Sequence, residues 1–185
     1  MVYSYKKSAF TKEQTYKLTD KSIQVYNELE KLHLDIRFNH IKSITLVHTP
    51  TKVARKMHQC TIQSMDDKKI ILRNYSYIGI ANFKNQTDAY LKFLDHLHEK
   101  TKNKSVLFKK GIHKVSFLLL IGFMLLMTAL MGVIVYVLFN KGKYGEMAIS
   151  IIALVLFVFL TITSIARFKP EKYDPNNIPN YLLPN

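Results

Sequence analysis

Seven histidines and one cysteine, Cys60, are the side chains with the widest scope for chemistry. His58 and Cys60 lie two apart, so on a strand they share a face. His96 and His98 are also two apart, and on a helix they diverge. Neither pair has carboxylates at the spacing a metal site uses. The reading is of surface histidines beside a half-buried thiol, the common state of a free cysteine. A Gly-x-Ser-x-Gly elbow, a Walker loop and a Rossmann glycine pattern are all absent. Asp66-Asp67 sits where a hairpin turn is expected. The sequence therefore calls for no catalytic residue, no metal and no cofactor, and the chain is not expected to be an enzyme.

Charge says more. The 185 residues carry 27 Lys and Arg against 13 Asp and Glu, a formal net charge of +14. Thr51-Lys52-Val53-Ala54-Arg55-Lys56 makes one basic group, and Lys109, Lys110 and Lys114 make a second. A cation held near an anionic leaflet contributes about 1 kcal/mol. Lys52, Arg55, Lys56, Lys109, Lys110 and Lys114 are thus the expected contacts with a membrane surface or a lipid headgroup. Against this stands the plainer view that the first group solubilises a loop and the second obeys the positive-inside rule. Tyr75 and Tyr77 near Arg73 could stack on bases, but strand tyrosines usually serve sheet packing. No nucleic acid is expected.

The elements that hold these groups are set by two apolar runs, 115–139 and 147–166, neither with a charged residue. About 20 apolar residues at 1.5 Å each match a bilayer's hydrocarbon thickness. The runs predict two transmembrane helices, joined by an outside loop over 140–146. Before them lies a domain over 1–104 and a basic linker over 105–114; after them comes a tail over 167–185. Residues 1–10 lack the apolar segment of a signal peptide, so the first run is expected to act as the insertion signal. Lys104, Lys109, Lys110 and Lys114 precede the spans, and Arg167, Lys169 and Lys172 follow them. Positive flanks stay inside, which places both termini in the cytoplasm. Lys141 and Lys143 in the loop, offset by Glu146, weaken that assignment without reversing it. No ionisable residue falls within the spans, which argues against transport. Ala129 with Gly132, and Ser150 with Ala153, offer small surfaces for close helix approach and a homo-oligomer.

Residues 1–84 read as strands. Tyr16 and Leu18, then Ile23 and Val25, flank the turn 19–21. Leu32, Leu34, Ile36 and Phe38 alternate with polar residues, as do Ile44 and Leu46 in part. Cys60 and Ile62 return through Asp66-Asp67 to Ile70-Ile71-Leu72. With glycine nearly absent, the turns must use Asn and Asp. Asn85 is the expected N-cap of one helix, whose apolar stripe is Tyr90, Phe93, Leu94 and Leu97. Pro170, Pro175, Pro179 and Pro184 forbid a continuous helix in the tail. Tyr173, Ile178, Leu182 and Leu183 are the residues expected to dock it on the domain or on a partner.

The strand array, Phe83-Lys84-Asn85 and the helix ending Leu94-Asp95-His96-Leu97-His98 resemble the pleckstrin-homology-like fold of bacterial membrane proteins. The tail, Lys169-Pro170-Glu171-Lys172-Tyr173-Asp174-Pro175 followed by Ile178-Pro179 and Leu182-Leu183-Pro184, is similar to that of an uncharacterised bacterial two-helix membrane protein family. The segment 74–83 resembles that family too. The resemblance implies an α+β fold, with a small antiparallel β-rich domain, one C-terminal amphipathic helix and a two-helix hairpin, located in the bacterial inner membrane. It implies no reaction. The expected role is a membrane-anchored binding or adaptor module that presents its cytoplasmic domain to anionic lipid or a protein partner. The alternative is a structural subunit packing its hairpin into a larger inner-membrane complex.

Overall fold

A computed structural model describes every residue except Pro50, Lys52, Val53, Arg55, Ala81 and Asn185, and leaves out the side chain of Arg167. The fold is α+β: an antiparallel β-rich region precedes two long apolar helices. The chain divides into two compact units. One joins Met1–Lys110 to Glu171–Asn185, and the other is Gly111–Pro170.

The first unit begins as a meander. Strands β1 (Val2–Tyr5), β2 (Gln14–Leu18), β3 (Ser22–Tyr26) and β4 (Leu32–Arg37) pair in sequence order, all antiparallel. Alternation aims Tyr16, Leu18, Ile23 and Val25 at the core. Along β4 the buried face fades: Ile36 is buried, Leu34 half-buried and Leu32 exposed. A register shift at Val25/Tyr26 accompanies that loss. Phe38 is buried, but from a 3-10 turn rather than from the strand.

The second sheet has the order β11-β10-β5-β6-β7. Its centre is β5 (Ile41–His48), β6 (His58–Ser64) and β7 (Lys69–Arg73). In β6, His58, Cys60, Ile62 and Ser64 all face inward. The turn into β7 places Asp67 at φ 57°, a left-handed position that Asp tolerates better than most residues. The β3–β4 turn instead puts Glu30 at φ 54°, where Asn27 Oδ1 braces it by accepting from the N–H groups of Leu29 and Lys31 at 3.1 and 3.0 Å. Tyrosine hydroxyls join the two sheets: Tyr3 donates to the Arg73 carbonyl and Tyr5 to that of Ile71. The outer carbonyls of β7 are thereby satisfied without another strand.

A short hairpin, β8 (Tyr75–Gly79) and β9 (Asn82–Asn85), leads to α1 (Thr87–Thr101). Gln86 is the N-cap by conformation, while Asn85 Oδ1 accepts from the Thr87 N–H at 2.9 Å. Tyr90, Phe93, Leu94 and Leu97 are fully buried against the strands. The chain then forms β10 (Leu107–Lys110), parallel to β5, inside the segment that composition marks as a linker. Past the long helices, β11 (Glu171–Lys172) pairs antiparallel with β10.

The second unit is a helical hairpin. Helix α2 (Lys114–Asn140) has 27 residues and α3 (Tyr144–Phe168) has 25. Both are long and apolar enough to cross a bilayer. Helix α3 starts at Tyr144, earlier than the apolar run, and Lys143 Nζ pairs with Glu146 at 2.9 Å beside its first turn. Gly142, at φ 67°, allows the tight link between the helices. Thr128, Ser150, Thr161 and Thr163 bond to carbonyls of their own helices, so few polar groups face lipid unpaired. At the base, Ile112 N–H donates to Phe168 O at 3.1 Å. Gly111 stands at φ +82°, and a Cβ there would lie 2.3 Å from the Lys169 carbonyl oxygen. Only glycine fits that approach.

Candidate functional site

Four of the six cations flagged in the sequence, Lys56, Lys109, Lys110 and Lys114, are among the described residues. Lys52 and Arg55 lie outside the described residues. Lys56 is exposed, and its carbonyl accepts from Asn74 Nδ2 at 3.0 Å. In β10, Lys109 is exposed and sits opposite Lys172, so like charges face each other there. Lys110 is engaged: its Nζ lies 2.8 Å from Glu171 and donates to the Tyr181 hydroxyl at 2.6 Å. The Glu171 carboxylate, then the Tyr181 hydroxyl, hold its pKa above the usual lysine value. Lys110 thus spends its charge within its own unit. Lys114 is exposed at the start of α2.

The tail residues lie on the core of the first unit. Tyr173 and Leu182 are buried in it, and Ile178 and Leu183 pack against it half-buried. The anchor of this contact is His98, which faces inward one turn beyond Leu94. His98 Nδ1 lies 2.8 Å from Leu94 O, a pure acceptor, so Nδ1 carries the proton. His98 Nε2 then accepts from the Tyr173 hydroxyl at 2.7 Å. The imidazole stacks on Phe108 at 5.5 Å. Burial holds its pKa below the usual histidine value. His58 is buried too, with Nε2 3.4 Å from Tyr181 O. The expectation of surface histidines is therefore corrected at both positions: each lies on the inner face of its element. A 3.6-residue count from Tyr90 and Leu94 would have found His98 in the sequence.

Among the described residues, no three His, Cys, Asp or Glu side chains gather to hold a metal ion. Cys60 is fully buried in apolar surroundings, and that burial pushes its thiol pKa far up, the opposite of an activated nucleophile.

One concave feature of the first unit is a cleft of about 480 Å³. Its rim is the β1–β2 loop with Lys7, Thr11, Lys12 and Glu13, together with His33 of β4 and Lys69 of β7. Tyr5, Tyr16, Val25, Leu34 and Ile70 also line it, giving apolar and aromatic surface beneath the cations. Lys12 is shared with Glu28 at 3.7 Å. Lys7 and Lys69 have no carboxylate within ion-pair distance among the described residues. Three ammonium groups and an imidazole thus meet one lining carboxylate, Glu13, and the Glu28 carboxylate beside Lys12. Such a cleft offers several donors to a compact anion, with an apolar floor for a hydrocarbon neighbour. Sequence reasoning missed it because its cations come from three separate segments, one or two at a time. No protein-family model, curated protein or solved structure matches this chain.

Proposed function

We propose that this chain is a membrane-anchored binding module whose β-rich unit, of pleckstrin-homology-like design, takes a phosphate-bearing headgroup of an anionic lipid in the Lys7–Lys12–Lys69 cleft. The cleft's charge imbalance over an apolar floor carries this reading. The run of strands β1 to β9, followed by α1 and its buried apolar stripe, supports the design. The pairing of β10 with β11 supports a hairpin that leaves and returns on one side, since strands flanking it must meet. Lys109, Lys114, Lys169 and Lys172 beside the spans support the cytoplasmic face of an inner membrane.

The test is direct binding by the full chain in mild detergent. Short-chain phosphatidylglycerol should bind saturably and more tightly than phosphatidylcholine. Inorganic phosphate at equal concentration separates headgroup chemistry from lipid recognition. Lys7→Gln and Lys69→Gln should each weaken the phosphatidylglycerol complex about tenfold, the loss of one charge-assisted contact at roughly 1.4 kcal/mol. Lys109→Gln should leave it unchanged. Equal affinity for the two lipids, or indifference to both cleft substitutions, overturns the reading.

A further inference from the structure

Three large apolar side chains of the β-rich unit stand in solvent, on two segments that meet at their bases. Phe10 is 100% exposed, Ile80 96% and Ile78 60%. Phe10 belongs to the β1–β2 loop, and the two isoleucines belong to the β8–β9 tip. Both segments leave from a single contact. Lys6 N–H donates to Ser76 Oγ at 2.9 Å, Tyr77 N–H donates to Lys6 O at 2.8 Å, and Lys6 Nζ lies 6.0 Å from the centre of the Tyr77 ring. Thr11 N–H donates to Ser8 O and Ser8 N–H to Thr11 Oγ1, so the loop closes on itself and turns Phe10 outward. Tyr77 pairs with Phe83 and Gly79 with Asn82, with a register shift between Tyr77 and Gly79.

Charge says what covers these tips. Residues 1–12 contain Lys6, Lys7 and Lys12 and no Asp or Glu. Residues 68–87 contain Lys68, Lys69, Arg73 and Lys84, again with no acid. With Glu13 the one acid of the β1–β2 loop, a protein groove would match this predominantly cationic collar only if it were largely acidic. An anionic bilayer surface matches on both counts, with phosphates for the lysines and acyl chains for Phe10 and the isoleucines. The chain also carries two helices long and apolar enough to cross a bilayer.

We propose that Phe10 and the Ile78–Ile80 tip insert into the headgroup–acyl boundary of an anionic bilayer, with Lys6, Lys7 and Lys84 on its phosphates. This deepens the headgroup reading above and rests on it for the identity of the ligand. The protein contains no tryptophan, so a single Trp reports without background. Three full-length variants suffice: Phe10→Trp, Ile80→Trp and, as a control at the far end of β1, Val2→Trp. Each is reconstituted in phosphatidylcholine bilayers with and without phosphatidylglycerol, with brominated acyl chains as quencher.

In anionic bilayers, both tip reporters should shift to the blue and lose most of their emission. In neutral bilayers they should change little, and Val2→Trp should stay water-like throughout. A second arm adds brominated anionic vesicles to protein embedded in unbrominated discs; quenching only there assigns the inserted surface to an apposed membrane. Adding Lys6→Gln and Lys7→Gln should reduce the shift. Tip reporters that stay water-like in both arms overturn the inference, as does equal quenching in neutral and anionic lipid. Short-chain phosphatidylglycerol binding measured on the same samples keeps the two readings apart: it survives if insertion alone is wrong and vanishes if the cleft is wrong.

Discussion

Tyr173→Phe removes one oxygen from the contact between tail and core, and its cost can be worked from the geometry. The Tyr173 hydroxyl donates to His98 Nε2 at 2.7 Å, and both groups are buried. The phenyl ring keeps its place against Phe108, whose centroid lies 5.8 Å away. What remains is an imidazole acceptor with no donor. An orphaned buried acceptor costs about 1–3 kcal/mol. At 1.4 kcal/mol per factor of ten, the opening equilibrium of the unit rises roughly 5- to 150-fold. Cys60 gives the assay. It is the sole cysteine, fully buried on β6, and it reacts with a thiol reagent only when the unit opens. With reclosing fast against labelling, the rate tracks the open population. The full-length variant in detergent should therefore label at least fivefold faster than the parent at pH 7.5. Tyr173→Ala, which also deletes the ring, should label faster still. A Tyr173→Phe rate within twofold of the parent would refute the claim that this hydrogen bond helps close the unit.

Four further outcomes follow from the same structure. His98 is buried neutral with a lowered pKa, so it contributes stability that is full above about pH 6.5 and is lost as pH falls below that value. Denaturant midpoints of the full chain should decline from pH 7 to pH 5, and His98→Gln should flatten that slope while lowering the plateau. Tyr90 has a fully buried hydroxyl with no hydrogen-bond partner among the described residues, so Tyr90→Phe should raise stability by up to about 1 kcal/mol, read as a higher denaturant midpoint. Gly111→Ala meets both a positive φ and the Lys169 carbonyl oxygen, and should cost on the order of 1–3 kcal/mol, seen as a lower melting temperature of the purified protein. Deleting residues 173–185 removes buried Tyr173 and Leu182 together and should lower that melting temperature by more than Tyr173→Phe does.

Local pattern made much of the architecture readable. Leu18, Ile23, Val25, Cys60 and Ile62 bury where period-two alternation puts them, because each strand lies between neighbours close in sequence. The spans are readable because length and apolarity alone define them. β10 was hidden because four residues with two lysines carry no period. It is a strand only through its parallel pairing with β5, some sixty residues away. The same holds for Lys110: composition shows a cation, and only the fold supplies Glu171 and Tyr181 to absorb it. The cleft was invisible for a related reason. Lys7, His33 and Lys69 are unremarkable singly, and strand pairing and sheet packing bring them together.

A domain interrupted by its own membrane anchor sets an order on biogenesis. Residues 1–110 emerge first, yet β11, Tyr173 and Leu182 are translated only after both spans. At 5–20 residues per second, that interval is roughly 3–12 s. Throughout it, Phe108 and the His98 ring lack their cover, and the sheet has an open edge at β10. The first unit thus stays half-built until both long helices have been made, and it closes only when the chain returns to β10. A chain that ends before Glu171 lacks the residues that cover Phe108 and His98. Completing the hairpin and completing the core become one event.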